Sequence, residues 1–150
     1  MDKKTIELIS LIRKLIKEYE TKHDALIFSF IKRNGAYIYT EITDKLLEVC
    51  RLQKEDVINQ AINNKQQIIG DTYNQVYNNY EKAWSGRSVF YYLTPTTNTD
   101  IFLIITLEPQ SDKDNNIYQV DAHCVAIDKR ELHEVKVGLL DHFSEHEPIE

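Results

Sequence analysis

Apolar residues recur at Ile6, Ile9, Ile12, Ile16 and Tyr19, and Leu8, Leu11 and Leu15 widen the stripe. That spacing predicts an amphipathic helix from Lys3 to about Tyr19. Ile9, Ile12, Ile16 and Tyr19 also fit the a and d positions of a heptad. The face therefore has two readings: packing on the chain's own domain, or a homodimer contact through Ile9, Ile12 and Ile16. Next come two β-prone runs, Ala25 to Ile31 and Ala36 to Ile42, around Lys32-Arg33-Asn34-Gly35. Asn and Gly both tolerate the positive φ of a primed turn, so the pair predicts a hairpin.

Asp44 is placed to cap a short helix over Lys45 to Cys50, and Lys54 to Ile58 predicts a second short turn. Residues 59–67 are polar and rich in Asn and Gln, which reads as a loop or weak helix rather than a core element. From Asp71 to Trp84 the residues Tyr73, Val76, Tyr77, Tyr80 and Trp84 share one helical face, with Gly86 as the stop. Ser88 to Thr94, Asp100 to Glu108 and Ile117 to Ile127 then read as three strands of an antiparallel meander. Beyond Asp128, Leu132, Val135, Leu139 and Leu140 sit at helical spacings, weakened by Gly138.

Composition narrows the classes. A chain of 150 residues with 42% hydrophobic residues buries one core and is short for two. Its net charge of −6, without clustered Lys and Arg, speaks against a nucleic-acid face. Two cysteines, Cys50 and Cys124, both among apolar neighbours, fit a reducing compartment. Charges at Glu7, Arg13, Lys14, Lys17 and Glu18 interrupt the first segment, so neither a signal peptide nor a membrane span is expected, and the expected location is cytoplasmic.

Two strands, several short helices and three more strands give an α+β fold: a five-stranded antiparallel sheet with short helices on one face and flanking helices at both ends. Three stretches resemble the PAS, or sensory-box, family of the bacterial signalling type. Ile38 to Ile58 resembles its strand, short helix and second short turn. Tyr80-Glu81-Lys82-Ala83-Trp84-Ser85-Gly86 resembles its long helix closing on Gly. Val125-Ala126-Ile127-Asp128 with Lys129-Arg130-Glu131-Leu132 resembles its last strand running into an output helix. Asn59 stands where the family often has Gly, and Lys129-Arg130 replace its usual apolar-Thr pair. The resemblance implies an N-terminal helix over residues 1–22, a sensor domain over 23–128 and a signalling helix or tail over 129–150.

The resemblance also implies a pocket inside the sheet. Alternation puts Tyr118, Val120, Ala122, Cys124 and Ala126 on one face of the last strand and Gln119, Asp121, His123 and Val125 on the other. The family register before a strand-ending Pro109 points Leu103, Ile105 and Leu107 inward. With Tyr73 and Tyr77 these residues are the candidate lining for a small apolar or aromatic ligand; the opposing reading has Phe and Tyr rings filling the space. The long helix contains no His, which speaks against haem. The stretch Asn59-Gln60-Ala61-Ile62-Asn63-Asn64 lacks the Asn-Cys-Arg-like motif of covalent flavin photoreceptors.

Among other candidate chemistry, His142 and His146 have metal-ligand spacing but no third ligand, and His133-Glu134 lacks the Asn-Pro of a kinase acceptor box. Nothing basic flanks Cys124, and the cysteines read as core. No Ser-His-Asp set or phosphate-cradling Gly loop occurs. The chain thus reads as a sensory module, not itself an enzyme, that detects a small molecule or partner and signals through its flanking helices. The expected output is a histidine kinase or diguanylate cyclase, with Asp128 as the relay residue. The rivals are a ketosteroid-isomerase-like enzyme, for which Asp121 and Tyr118 fall on opposite strand faces, and a ligand-free dimerisation module.

Overall fold

The computed structural model describes residues 3–62 and 73–130. Helix α1 (Lys3–Lys22) leads into strands β1 (Leu26–Arg33) and β2 (Ala36–Ile42), then helix α2 (Asp44–Cys50) and a 3-10 turn at Lys54–Asp56. Helix α3 (Tyr73–Trp84) precedes β3 (Val89–Leu93), β4 (Ile101–Ser111) and β5 (Ile117–Asp128). The strands form one sheet in the order β2-β1-β5-β4-β3, with every neighbouring pair antiparallel. The last strand is therefore the central one. The predicted C-terminal helix lies outside the described residues, except for a 3-10 start at Lys129 and Arg130.

The hairpin forms as its turn residues require. Asn34 and Gly35 have φ of 53° and 81°, two positive values in succession, and Arg33 faces Ala36 across the turn. Asn59, at the position where the resemblance leads one to expect Gly, has a φ of 62°. Asn is among the few side chains that enter this left-handed region at small cost, so the exchange keeps the backbone shape.

Three sequence expectations change. Thr43, not Asp44, is the N-cap of α2, and it caps without its side chain: its hydroxyl instead accepts from the Ile27 N–H at 3.2 Å, tying the helix start to β1. Pro109 does not end its strand. β4 continues to Ser111 because β3 reaches only Leu107, so the missing N–H of Pro109 faces no partner strand. Residues 59–62 are not a free loop but lie along the edge of β2. The Asn59 N–H donates to the Tyr39 carbonyl at 2.8 Å and the Ile62 N–H to that of Tyr37 at 2.8 Å, and Ile62 is buried. An edge strand covered in this way is closed to other chains.

Two cores result, one on each face of the sheet. The larger gathers Leu26, Phe28, Phe30, Tyr37 and Tyr39 with α2, α3 and the inward residues of β3–β5. The smaller joins Leu8, Ile9, Ile12 and Ile16 of α1 to Phe90 and Ile104. The three isoleucines proposed for a dimer are thus at most 6% exposed and packed on their own sheet. This is the first of the two readings of the helix: the wide apolar face of α1 packs on the chain's own β3, β4 and β5.

Candidate functional site

The candidate lining residues separate into two groups. Leu103, Ile105, Leu107, Val120, Ala122 and Cys124 all face the main core and are 0–2% exposed, as the alternation predicts. Ala126 lies at the margin of that core, half-buried. Tyr73 and Tyr77 are not deep lining residues. Both are half-buried, and the Tyr77 ring meets Tyr37 edge-on at 5.4 Å while Tyr73 tilts against Tyr77 at 6.0 Å. Tyr118, on the inward side by parity, is 56% exposed near the strand start.

Rings fill much of the space above the strands. Phe30 stacks on Tyr80 with centroids 4.1 Å apart, and Phe28 meets Tyr39 edge-on at 5.7 Å. Tyr80 is the meeting point of three phenols: its hydroxyl pairs with that of Tyr39 at 2.9 Å, and its side chain also bonds to Tyr91. Burial, which penalises the phenolate, pushes Tyr39 up to about 12 and raises Tyr80 and Tyr91 well above the ordinary phenol value. Burial likewise raises the Cys50 thiol to about 12 and lifts Cys124 well above the ordinary thiol value, so neither forms a reactive thiolate near neutral pH. Sequence reasoning missed this phenol group, since the three tyrosines sit on three different elements and share no spacing.

The buried face of α3 is uneven. Tyr73, Tyr77, Tyr80 and Trp84 fall on one flank, and rings of this flank surround Tyr37. Near the rim, Glu81 accepts from the Tyr37 hydroxyl at 2.6 Å and lies 3.4 Å from Lys32, and the Tyr37 bond holds the Glu81 carboxyl below its usual value. On the other flank, one turn from Val76 and from Ala83, lies Asn79. It is 1% exposed, and among the described residues neither its Oδ1 nor its Nδ2 has a hydrogen-bond partner.

The exit from the sheet is bonded from both sides. Asp128 accepts from the Arg130 backbone N–H at 2.9 Å and from its guanidinium at 2.9 and 2.5 Å. The Arg130 side chain is the main reason its carboxyl is lowered to about 2, with the backbone bond second. This is the cap expected for Asp128. The Lys129 N–H donates to the Asp100 carbonyl at 2.9 Å. The loop that carries Asp100 is fixed to the end of α2: the Asn98 Nδ2 donates to the Val49 carbonyl at 2.8 Å and the Thr97 hydroxyl to that of Cys50 at 2.5 Å.

On the opposite face α1 is held by polar contacts beside its apolar seam. Arg13 grips Glu108 with two bonds at 2.8 and 3.0 Å and donates to Ser88 at 2.8 Å. His123 Nδ1 lies 3.0 Å from Glu20. Asp121, the base of the enzyme rival, also faces this side, where it accepts from Ser29 at 2.7 Å and Gln119 at 2.6 Å. It is not brought together with Tyr118. Among the described residues no group of three His, Cys, Asp or Glu side chains is placed to hold a metal, and no helix is long and apolar enough to cross a membrane.

The sequence matches no protein-family model and no curated protein. Solved structures do match. A light-oxygen-voltage domain studied with a flavin analogue aligns with a TM-score of 0.62 at 11% identity, covering 88% of this chain and 96% of that one. A sensory box sensor histidine kinase from Vibrio cholerae aligns with a TM-score of 0.53 at 11% identity, covering 83% and 98%. A domain assigned to a light and redox sensing histidine kinase from Haloarcula marismortui aligns with a TM-score of 0.58 at 10% identity, covering 76% and 98%. With the strand order, the short helices and the exit after β5, this likeness gives the chain the fold of the PAS sensory domains.

Proposed function

We propose that the chain is a cytoplasmic sensory module that takes up a small molecule or partner signal through the layer between the sheet and α3, and passes it to an output such as a histidine kinase or diguanylate cyclase. Residues 23–128 form the sensor in this reading, 1–22 its cover and 129–150 its output segment. The observation that carries it is the continuity of β5. The central strand pairs with both β1 and β4 and continues into the departing segment without Gly or Pro. A shift in its packing is therefore a shift in the orientation of Lys129 and Arg130. Asp128 is the relay because it fixes the first turn after the strand. A signal that prefers one packing of the sheet shifts the population of exit geometries, and by linkage the output partner shifts affinity for the signal.

Catalysis belongs to the output in this reading. Among the described residues the inward polar groups are un-ionised phenols and thiols and the neutral amide of Asn79, and the one carboxylate offered to an enzyme, Asp121, faces α1. A homodimer contact falls to the solvent side of α1, where Leu11 is 41% exposed. Native mass spectrometry of the purified protein tests the uptake of a small molecule: a retained mass, displaced on unfolding, supports it. A protein that retains none and whose Lys129 and Arg130 amides are insensitive to added small molecules would count against a ligand sensor and leave a dimerisation module.

A further inference from the structure

We infer that the inner layer reads its signal molecule through Asn79, and that the molecule is neutral and presents an amide-type edge, an N–H beside a C=O. This rests on the proposed uptake of a small molecule and names its chemistry. A side-chain amide offers two donors and an acceptor with two lone pairs. Buried polar groups are bonded in nine cases of ten or more, and an orphaned one calls for an explanation. At Asn79 both ends of the amide are orphaned together, at 1% exposure, on the face of α3 that packs on the sheet.

Local structure does not account for the residue. Asn is a poor helix former, and an apolar residue would suit the stripe Val76, Asn79, Ala83 better. Its buried neighbours on α3, Val76, Tyr80 and Ala83, are apolar or aromatic, and α3 packs on β3, β4 and β5, whose inward residues there are aliphatic, small or phenolic. The phenols Tyr39, Tyr80 and Tyr91 already bond among themselves. A charged ligand is disfavoured because no ionised group among the described residues faces this layer. A hydrocarbon leaves both amide atoms unpaired. The complement of a primary amide with a free oxygen and a free N–H is a second amide edge, as in a lactam or pyrimidinone, which satisfies donor and acceptor at once.

The test uses the whole chain with pyridone and isoquinolinone as probes, each beside the hydrocarbon of matching shape, benzene and naphthalene. Binding is followed by proton-nitrogen correlation spectra. The lactams should move the side-chain NH2 resonances of Asn79 and bind at least about tenfold more tightly than their hydrocarbons, the return on two buried neutral hydrogen bonds. Asn79→Leu should bring that ratio to about one while hydrocarbon binding persists. It should also leave the melting temperature of the unliganded protein unchanged or higher, since it removes an unpaired amide at constant shape. Equal binding of lactam and hydrocarbon to the parent overturns the amide chemistry and leaves a ligand layer standing. Binding of neither overturns that layer as well. A lower melting temperature for Asn79→Leu would show that the amide has a partner within the protein and overturns the inference by itself.

Discussion

The inner face of the sheet buries Phe28, Phe30, Tyr39, Tyr91 and the small residues of β5 beneath α2 and α3, whereas the outer face carries α1 over Phe90 and Ile104. The inner layer is joined by interlocking rings and by hydroxyls removed from water. The outer layer is joined by one apolar seam and by ion pairs such as Arg13 with Glu108, whose side chains are 50% and 25% exposed. One sheet thus has a cover that is built into the fold and a cover that is attached to it. Interactions inside the first depend on shape and fail together; those at the edge of the second are screened by water and salt.

The largest expected effect is on the inner side. Phe30→Ala removes a fully buried ring stacked on Tyr80 and should cost about 3–5 kcal/mol in denaturant unfolding, with every strand lost in the same transition. A smaller loss, or a transition confined to α3, would break the contrast between the layers. Alkaline pH sharpens it. Tyr39, Tyr80 and Tyr91 are raised in the folded state, so their stabilisation is complete below the free phenol value near 10 and is lost as pH rises past it. Each such group should remove about 1.4 kcal/mol per pH unit above about pH 10. Phenolate absorbance from these three should therefore appear in one step with unfolding. A smooth titration of all nine tyrosines would contradict it.

The outer side should respond locally. Ile12→Ala deletes most of a fully buried side chain and should cost about 2 kcal/mol, the lower end for such deletions, because a helix resting on one seam can settle toward the sheet. Hydrogen exchange should quicken in α1 while β1 and β5 keep their protection. Arg13→Ala is smaller still, below about 1 kcal/mol, and its effect should fade as salt is raised.

The same contrast separates what was legible in the sequence from what was not. Strand alternation placed Leu103, Ile105, Leu107, Val120, Ala122 and Cys124 on the inner face, because a period of two has only two outcomes once the buried side is known. The Asn34-Gly35 turn and the Asp128 cap were legible because each rests on a local backbone need. The course of β4 past Pro109 was not, since it depends on where β3 ends. Nor was the partner of α1: Ile9, Ile12 and Ile16 present the same stripe to a sheet as to a second helix, and only the outer face of β3, β4 and β5 decides between them. Asn79 went unnoticed because an orphaned amide is defined by what surrounds it, not by spacing.

The central claim is that a change in the sheet leaves the domain through Asp128. It is tested most directly by joining residues 1–150 to a histidine kinase core, stepping the join one residue at a time through a heptad, and measuring autophosphorylation for the parent and for Asp128→Ala. In joins where the parent is active, Asp128→Ala should change the rate at least about threefold while the melting temperature of the sensor stays within a few degrees, because the substitution frees the exposed first turn and leaves both cores intact. Equal rates for parent and variant across the whole series, with both folded, would contradict the claim and reduce Asp128 to a cap on the turn that follows it.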